Sequence, residues 1–392
     1  MTGIRSHVVV VGGGYAGTMA ANHLRLRNDV DITLVNPRPQ FVERIRLHQL
    51  VAGNHPATAD YGTLLGDGIN LVVDTATRID PATRTVQFAS GRRALHYDYL
   101  MYAVGSTGAT PAVPGAEFAY PIAEFEYAQR LRDALAELHP DAPVTVVGAG
   151  LTGIETAAEL AEQGRRVTLV CGGQLAASLS ESARRATAKQ LAKIGVTVLE
   201  DDVVTELRRD AVVFADGAVR PSALTIWTAG FGVPALAADS GLRTDSLGRL
   251  LTDETLTSID DPRIVAAGDC AAPSGQPLRM SCQAAGPLAT FAAQTVLSRI
   301  AGEEPEVILP KFAGQCVSLG RRAGTVQISH EDDTPTRFYL SGRVAASIKE
   351  AICKGTLWGL RREARKPGSA FLFKGSERDT MPEAAPQVVT NP

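Results

Sequence analysis

The first residues that could do chemistry are three glycines at fixed spacing. Gly12, Gly14 and Gly17 make a G-x-G-x-x-G, entered from four consecutive valines (Val8 to Val11) and left through a helix-forming run, TMAANHL. A strand buried on both faces, a tight turn and a helix are what a dinucleotide diphosphate needs. Gly12 permits the turn, Gly14 lets a pyrophosphate approach the backbone, and Gly17 lets helix and strand pack closely. The helix N-terminus then points at the phosphates; Tyr15 and Ala16 fill the turn. The same device recurs as Gly148, Gly150 and Gly153, with Leu151 and Thr152 between them, Glu155 just beyond and a VTVV strand before, 136 residues later (148 minus 12). Two copies in one chain imply two bound dinucleotides.

Further candidates follow from the strands that position these turns. The second strand of the first unit, DITLVN, ends at Asn36, where the ribose-binding residue belongs. An acid is usual there; Asn36 still offers an acceptor and a donor to a ribose hydroxyl. Pro37, Arg38 and Pro39 form the next turn, and Pro37 and Arg38 are candidate cofactor contacts beside Asn36. The stretch Phe41 to Gly53 mixes Arg44, Arg46 and His48 with apolar residues. It reads either as a solvated helix face or as the source of a cation, Arg46 or His48, reaching a phosphate-rich ligand. Later, RIVAA is a buried strand ended by Gly268 and Asp269, at a carboxyl end where ligands are met.

Composition places these motifs in an ordinary globular protein. Of 392 residues, 45% are hydrophobic and 21% charged, and 42 acids against 39 Lys plus Arg leave a net charge of −3. That balance argues against a nucleic-acid partner and for small-molecule ligands. The absence of a run of 18 apolar residues, and a first strand starting close to Met1, point to the cytoplasm. The five cysteines (171, 270, 282, 316 and 353) have no C-x-x-C, so neither a disulfide framework nor a metal site is expected. The expected fold is α/β: two Rossmann-like dinucleotide-binding domains and a smaller α+β C-terminal domain. The first domain spans 1–112 and returns at 233–305, the second spans 113–232, the α+β segment 306–374, and a Pro- and Glu-rich tail 375–392 is expected to be disordered.

Taken together, these motifs resemble the FAD-dependent pyridine-nucleotide oxidoreductases with two dinucleotide-binding domains. Within them the chain looks most like type II NADH dehydrogenases and apoptosis-inducing-factor-like flavoproteins. The resemblance covers about residues 7 to 330 and includes Ala103-Val104-Gly105-Ser106, standing where the family has Ala-Thr-Gly. It implies that the first fingerprint, with Ala103, Gly105, Gly268 and Asp269, binds FAD. The second, with Gly230 at the end of its domain, would bind NADH or NADPH. Hydride would pass from the nicotinamide to the flavin. By the same resemblance Glu155 orients the nicotinamide; as a residue, it also reads as a first-turn acid complementing a helix N-terminus.

Departures from the family pattern bear on coenzyme and acceptor. The strand ending at Val170 runs into Cys171-Gly172-Gly173, with neither an acid for NADH nor arginines for NADPH, so weak discrimination is expected. No C-x4-C follows the first ribose strand, which disfavours a disulfide reductase. Half of the type II A-Q-x-A-x-Q-Q stretch survives as Gln283-Ala284-Ala285, with Pro287-Leu288 in place of the glutamine pair. Gln283 is the candidate contact to flavin and to a quinone acceptor. The Lys/Arg-rich segment 349–374, with Ile352, Leu357 and Trp358 interleaved, suits an anionic membrane surface or a homodimer contact. Gly355 and Gly359 argue there against one continuous helix. The competing function is a redox sensor that binds FAD and NAD(P)H with little turnover.

Overall fold

A computed structural model describes residues 5–309, 311–370 and 375–376. The tail expected to be disordered therefore lies, except for Gly375 and Ser376, outside the described residues. The runs of β-branched residues form two five-stranded parallel sheets with matching topology. In the first, Ser6–Val11 lies at the centre, between Tyr99–Tyr102 and Val30–Asn36, with Ile264–Ala266 and Ile69–Val73 at the edges. In the second, Val144–Val147 lies between Leu224–Trp227 and Val167–Val170, with Ala119–Pro121 and Thr197–Leu199 outside. A strand covered on both faces has no use for alternation, and Val8 to Val11 are all buried. Each such valine contributes roughly 1.5–3 kcal/mol of apolar transfer.

Each sheet carries a small antiparallel insert, residues 76–96 in the first and 204–221 in the second. The chain crosses between the sheets twice, and the crossings pair as short strands, Thr107 opposite Gly232 and Gly108 opposite Phe231. Gly230 stands at that crossing with φ +79°; a Cβ there would lie 2.9 Å from Ala109 Cβ.

The helix Cys282–Ala301 packs on the helix of the first fingerprint, Tyr15–Leu24. Ser281 caps it, its Oγ accepting from Ala284 N at 3.2 Å, and Pro287 falls in the second turn. Beyond it, Gly314–Ser318, Gly324–Ser329 and Pro335–Ser341 form an antiparallel sheet that leads directly into one 24-residue helix, Gly342–Arg365. This corrects the expectation drawn from Gly355 and Gly359. Their helix propensity is overridden because Ala345, Cys353, Leu360 and Ala364 bury one face, against the new sheet and the first-fingerprint helix.

Candidate functional site

The two glycine turns have the same construction. Gly12 takes φ +105° and Gly148 φ +107°, which side chains rarely adopt. A Cβ at Gly12 would collide with the Ala103 carbonyl, and one at Gly148 would lie 2.7 Å from Ala229 N and Thr228 Oγ1. Gly17 and Gly153 press on the carbonyls of Gly12 and Gly148. Only the middle glycines differ: nothing lies within 4 Å of a Cβ at Gly14 or Gly150. Those two residues are the N-caps of Tyr15–Leu24 and Leu151–Glu162, neither cap has a side-chain hydrogen bond, and no acid stands in either first turn. The first N–H groups thus face open space with a favourable dipole, a fit for a diphosphate at each turn.

Around the first turn, Asn36 does more than wait for a ribose. Its Oδ1 accepts from Gly13 N at 3.0 Å and its Nδ2 donates to Arg38 O at 2.8 Å, while Tyr61 donates to Gly13 O at 2.6 Å. An aspartate could not make the second bond, which gives the departure from the usual acid a structural reason. The Arg38 side chain meets Glu126 at 2.6 Å and Glu124 at 3.4 Å, joining the first unit to the helix Phe125–Glu137. Pro37 stands exposed at the corner between them.

Asp269 sits where its strand ends, behind Ala103 and Gly105. Its Oδ2 accepts from Ser106 Oγ at 2.6 Å and its Oδ1 from Ser281 N at 3.1 Å, so it fixes the start of the helix carrying Gln283, Ala284 and Ala285. Arg44 donates to Ser106 O and, at 3.3 Å, to its Oγ. Ser106 and Arg44 were not among the site residues expected from sequence; the place of Ser106 directly after the Ala-Val-Gly turn was the available signal. Gln283 turns its amide to the backbone, donating to Gly314 O at 2.9 Å and accepting from Ala313 N at 3.0 Å. Beside it an apolar slot is lined by Leu278, Pro287, Leu288, Phe291 and Phe312, with Lys311 at its edge.

Arg46 requires correction. It is neither a solvated face nor a phosphate ligand: its side chain is 4% exposed and pairs with Glu350 at 3.0 Å and Glu43 at 3.4 Å. Glu155 is also not a first-turn acid. It lies in the second turn, and its carboxylate meets Lys349 Nζ at 3.0 Å, His48 Nδ1 at 3.5 Å and the Ser318 amide at 3.0 Å. Burial alone would raise its pKa; Lys349 and His48 outweigh that and hold it below the ordinary carboxylate value. Burial likewise works against the charge of Lys349, yet Glu155 beside it keeps that ammonium protonated well beyond its usual range. His48 is driven by burial, and by the cations Lys349, Arg321 and Arg46, down to about 4, so it is neutral at pH 7. Lys349 also donates to Cys316 O at 3.3 Å. No spacing in the sequence could have joined residues 155 and 349. Among the described residues, no group of three or more His, Cys, Asp or Glu could hold a metal ion.

Comparison with known proteins agrees with this construction. An NADH dehydrogenase-like protein of Mycobacterium tuberculosis is 29% identical over 420 residues, covering 99% of this chain and all of that one. A type II NADH:quinone oxidoreductase of Staphylococcus aureus is 26% identical, covering 89% of this chain and 94% of that one. Among solved structures, the sulfide:quinone oxidoreductase of Aquifex aeolicus shares the fold with a TM-score of 0.78 at 22% identity, over 93% of both chains. The NDH2 of Plasmodium falciparum in complex with NADH also reaches 0.78, at 17% identity, over 92% of this chain and 97% of that one. The family model of pyridine nucleotide-disulphide oxidoreductases matches residues 6–289, from the first strand through the asparagine, Asp269 and Gln283 positions to the long helix. With both glycine turns inside that match, the chain belongs to the pyridine nucleotide-disulphide oxidoreductase family and is an oxidoreductase that binds FAD and NAD(P)H.

Proposed function

We propose that this protein passes electrons from NAD(P)H through FAD to a quinone at a membrane surface. The carrying observation is the apolar slot at the start of the helix Cys282–Ala301, between Gln283 and Phe312. Its wall of Leu278, Pro287, Leu288 and Phe291 is apolar, and the crevice, with room for about one water in this structure, would open to admit a lipid-soluble ring rather than a charged acceptor. FAD, when bound, supplies the hydride-accepting and electron-passing chemistry. The protein's own residues hold it: Gly12, Gly14 and Gly17 with Tyr15 and Ala16 around the diphosphate, Asn36 and Pro37 at the ribose end, Ala103, Gly105, Gly268 and Asp269 along the chain, and Ala284 and Ala285 in the helix turn. Gly148, Gly150, Leu151, Thr152, Gly153 and Gly230 serve NAD(P)H in the same way. Gln283 and its backbone partners fix the mouth of the slot. Glu155 and Lys349 form a buried ion pair that ties the second fingerprint helix to the C-terminal helix.

The C-terminal helix supports the membrane part of the reading. Val344, Ile352 and Trp358 lie exposed along one face, Phe338 and Leu340 stand exposed on the preceding strand, and Arg362 covers the Trp358 ring. Arg343, Lys354, Arg365 and Lys366 are exposed around them. An apolar stripe within a basic rim lies well on anionic lipid. Among the described residues no helix is long and apolar enough to cross a membrane. The sensor alternative gains no observation of its own, and the curated relatives bear the names of enzymes.

Turnover with a lipid-soluble quinone in anionic vesicles, against ferricyanide and oxygen in solution, tests the proposal. Leu278→Asp should raise the quinone KM at least about tenfold through the lost apolar contact and leave flavin reduction by NADH unchanged. Equal loss with every acceptor would contradict the slot assignment.

A further inference from the structure

The acid missing from the second ribose strand is supplied by the neighbouring strand. Thr197–Leu199 pairs in parallel with Val167–Val170, Val170 opposite Leu199, so both strands end at the same level. The residues that follow, Glu200, Asp201 and Asp202, are laced to Cys171, Gly172 and Gly173. Cys171 N donates to Leu199 O at 2.8 Å, Gly172 N to Asp202 O at 3.1 Å, and Asp201 N to Gly173 O at 3.1 Å. Glu200 reaches further: its Oε1 accepts from Leu175 N at 2.8 Å, holding the loop that follows the glycine pair. Asp201 takes φ +62°, a left-handed conformation uncommon for aspartate, at this junction.

Charge at this spot is negative and largely uncompensated. Asp202 lies 3.7 Å from Arg220. Among the described residues Glu200 and Asp201 have no basic ion-pair partner within 4.0 Å. The loop from Cys171 to Ser180, CGGQLAASLS, contains no Lys or Arg. The first arginines beyond it are Arg184 and Arg185, and Arg185 is turned to Glu181 at 2.7 Å. The field also reaches the strand end: burial raises the Cys171 thiol to about 12, with Glu200 and Asp201 adding to the rise.

In this family of turns the adenosine ribose lies over the end of the second strand, with its 2′ position facing the residue there. We propose that Glu200, assisted by Asp201, reads that 2′ position and makes the protein selective for NADH over NADPH. The inference rests on the second glycine turn being the nicotinamide-dinucleotide site. Glu200, exposed and using one carboxylate oxygen for Leu175, keeps the other to accept from a 2′-hydroxyl. A 2′-phosphate, dianionic and acceptor-only, faces two carboxylates and no cation. The weak discrimination expected from Cys171 alone is thereby replaced by a strong one, imposed from a strand that the sequence motif does not contain.

Calorimetric titration of the oxidised holoenzyme with NAD+ and with NADP+ tests this without turnover. NAD+ should bind at least about thirtyfold more tightly at low salt, and the ratio should narrow as salt rises. The isosteric double variant Glu200→Gln with Asp201→Asn keeps the Leu175 hydrogen bond. It should cut the ratio to about threefold or less, chiefly by strengthening NADP+. Equal binding of the two dinucleotides to the parent, or an unchanged ratio in the double variant, would overturn the inference and leave the oxidoreductase reading standing. Binding of neither would overturn both.

Discussion

Of the six fingerprint glycines, Gly14 and Gly150 are the two at which a side chain would meet nothing of the protein itself, and that separates a binding role from a folding one. Gly14 has ordinary extended dihedrals and open space over its Cβ position. Gly14→Val should therefore fold with near-parent stability and purify without FAD, since only the ligand occupies the space the side chain takes. Gly17→Ala, directed at the Gly12 carbonyl, should lose stability by about 1–3 kcal/mol from overpacking; urea midpoints and flavin absorbance read both. A Gly14→Val protein that keeps full FAD occupancy would contradict the assignment. This part of the site was legible in the sequence because each glycine's job is local, decided within a strand, a turn and a helix. Arg46 was not legible: a cation near a phosphate-rich ligand and one buried between Glu43 and Glu350 look alike until the C-terminal helix, some 300 residues later, is in place.

At the scale of elements, the C-terminal helix is fastened by charge as well as by apolar burial. Lys349 meets Glu155 on its inner side, Glu350 meets Arg46, and Glu363 accepts from His23 at 2.8 Å on the first-fingerprint helix. Each is a link between sequence-distant segments, and none follows a spacing rule, which is why the sequence mistook this helix for a broken one. The fingerprint strands and the helix Glu181–Lys193, by contrast, follow from periodicity and punctuation within a dozen residues. Lys349→Met should leave Glu155 buried without its cation and destabilise the protein by about 3–5 kcal/mol. The Lys349→Met, Glu155→Gln double variant should recover much of that loss. A double-mutant cycle in urea measures the coupling, and additive losses would show that the pair does not hold the helix.

Across the whole molecule, the interior between the two sheets and the C-terminal segment is an ionic cluster with one neutral member, His48. Its folded pKa lies near 4 against an ordinary 6.5, so as pH falls the unfolded chain takes up the proton first. Stability should be complete above about pH 6.5 and decline by about 3 kcal/mol as pH approaches 4. Glu155, with its carboxyl held below the ordinary value, adds its own loss only below about pH 4.5. His48→Gln should flatten the first part of that decline in urea midpoints taken between pH 7.5 and 4.5. An unchanged slope would mean that other groups carry it.

In the proposed function the two glycine turns take in a water-soluble reductant, and the apolar crevice and the apolar stripe with its basic rim serve delivery of electrons to a lipid-soluble oxidant. Anaerobic mixing of the yellow holoenzyme, first with NADH and then with a menaquinone analogue in anionic vesicles, tests that claim most directly. Flavin absorbance should bleach with a stoichiometric amount of NADH and return on addition of the quinone. Failure of both NADH and NADPH to bleach the flavin, or bleached flavin that ferricyanide restores and no quinone does, would contradict it.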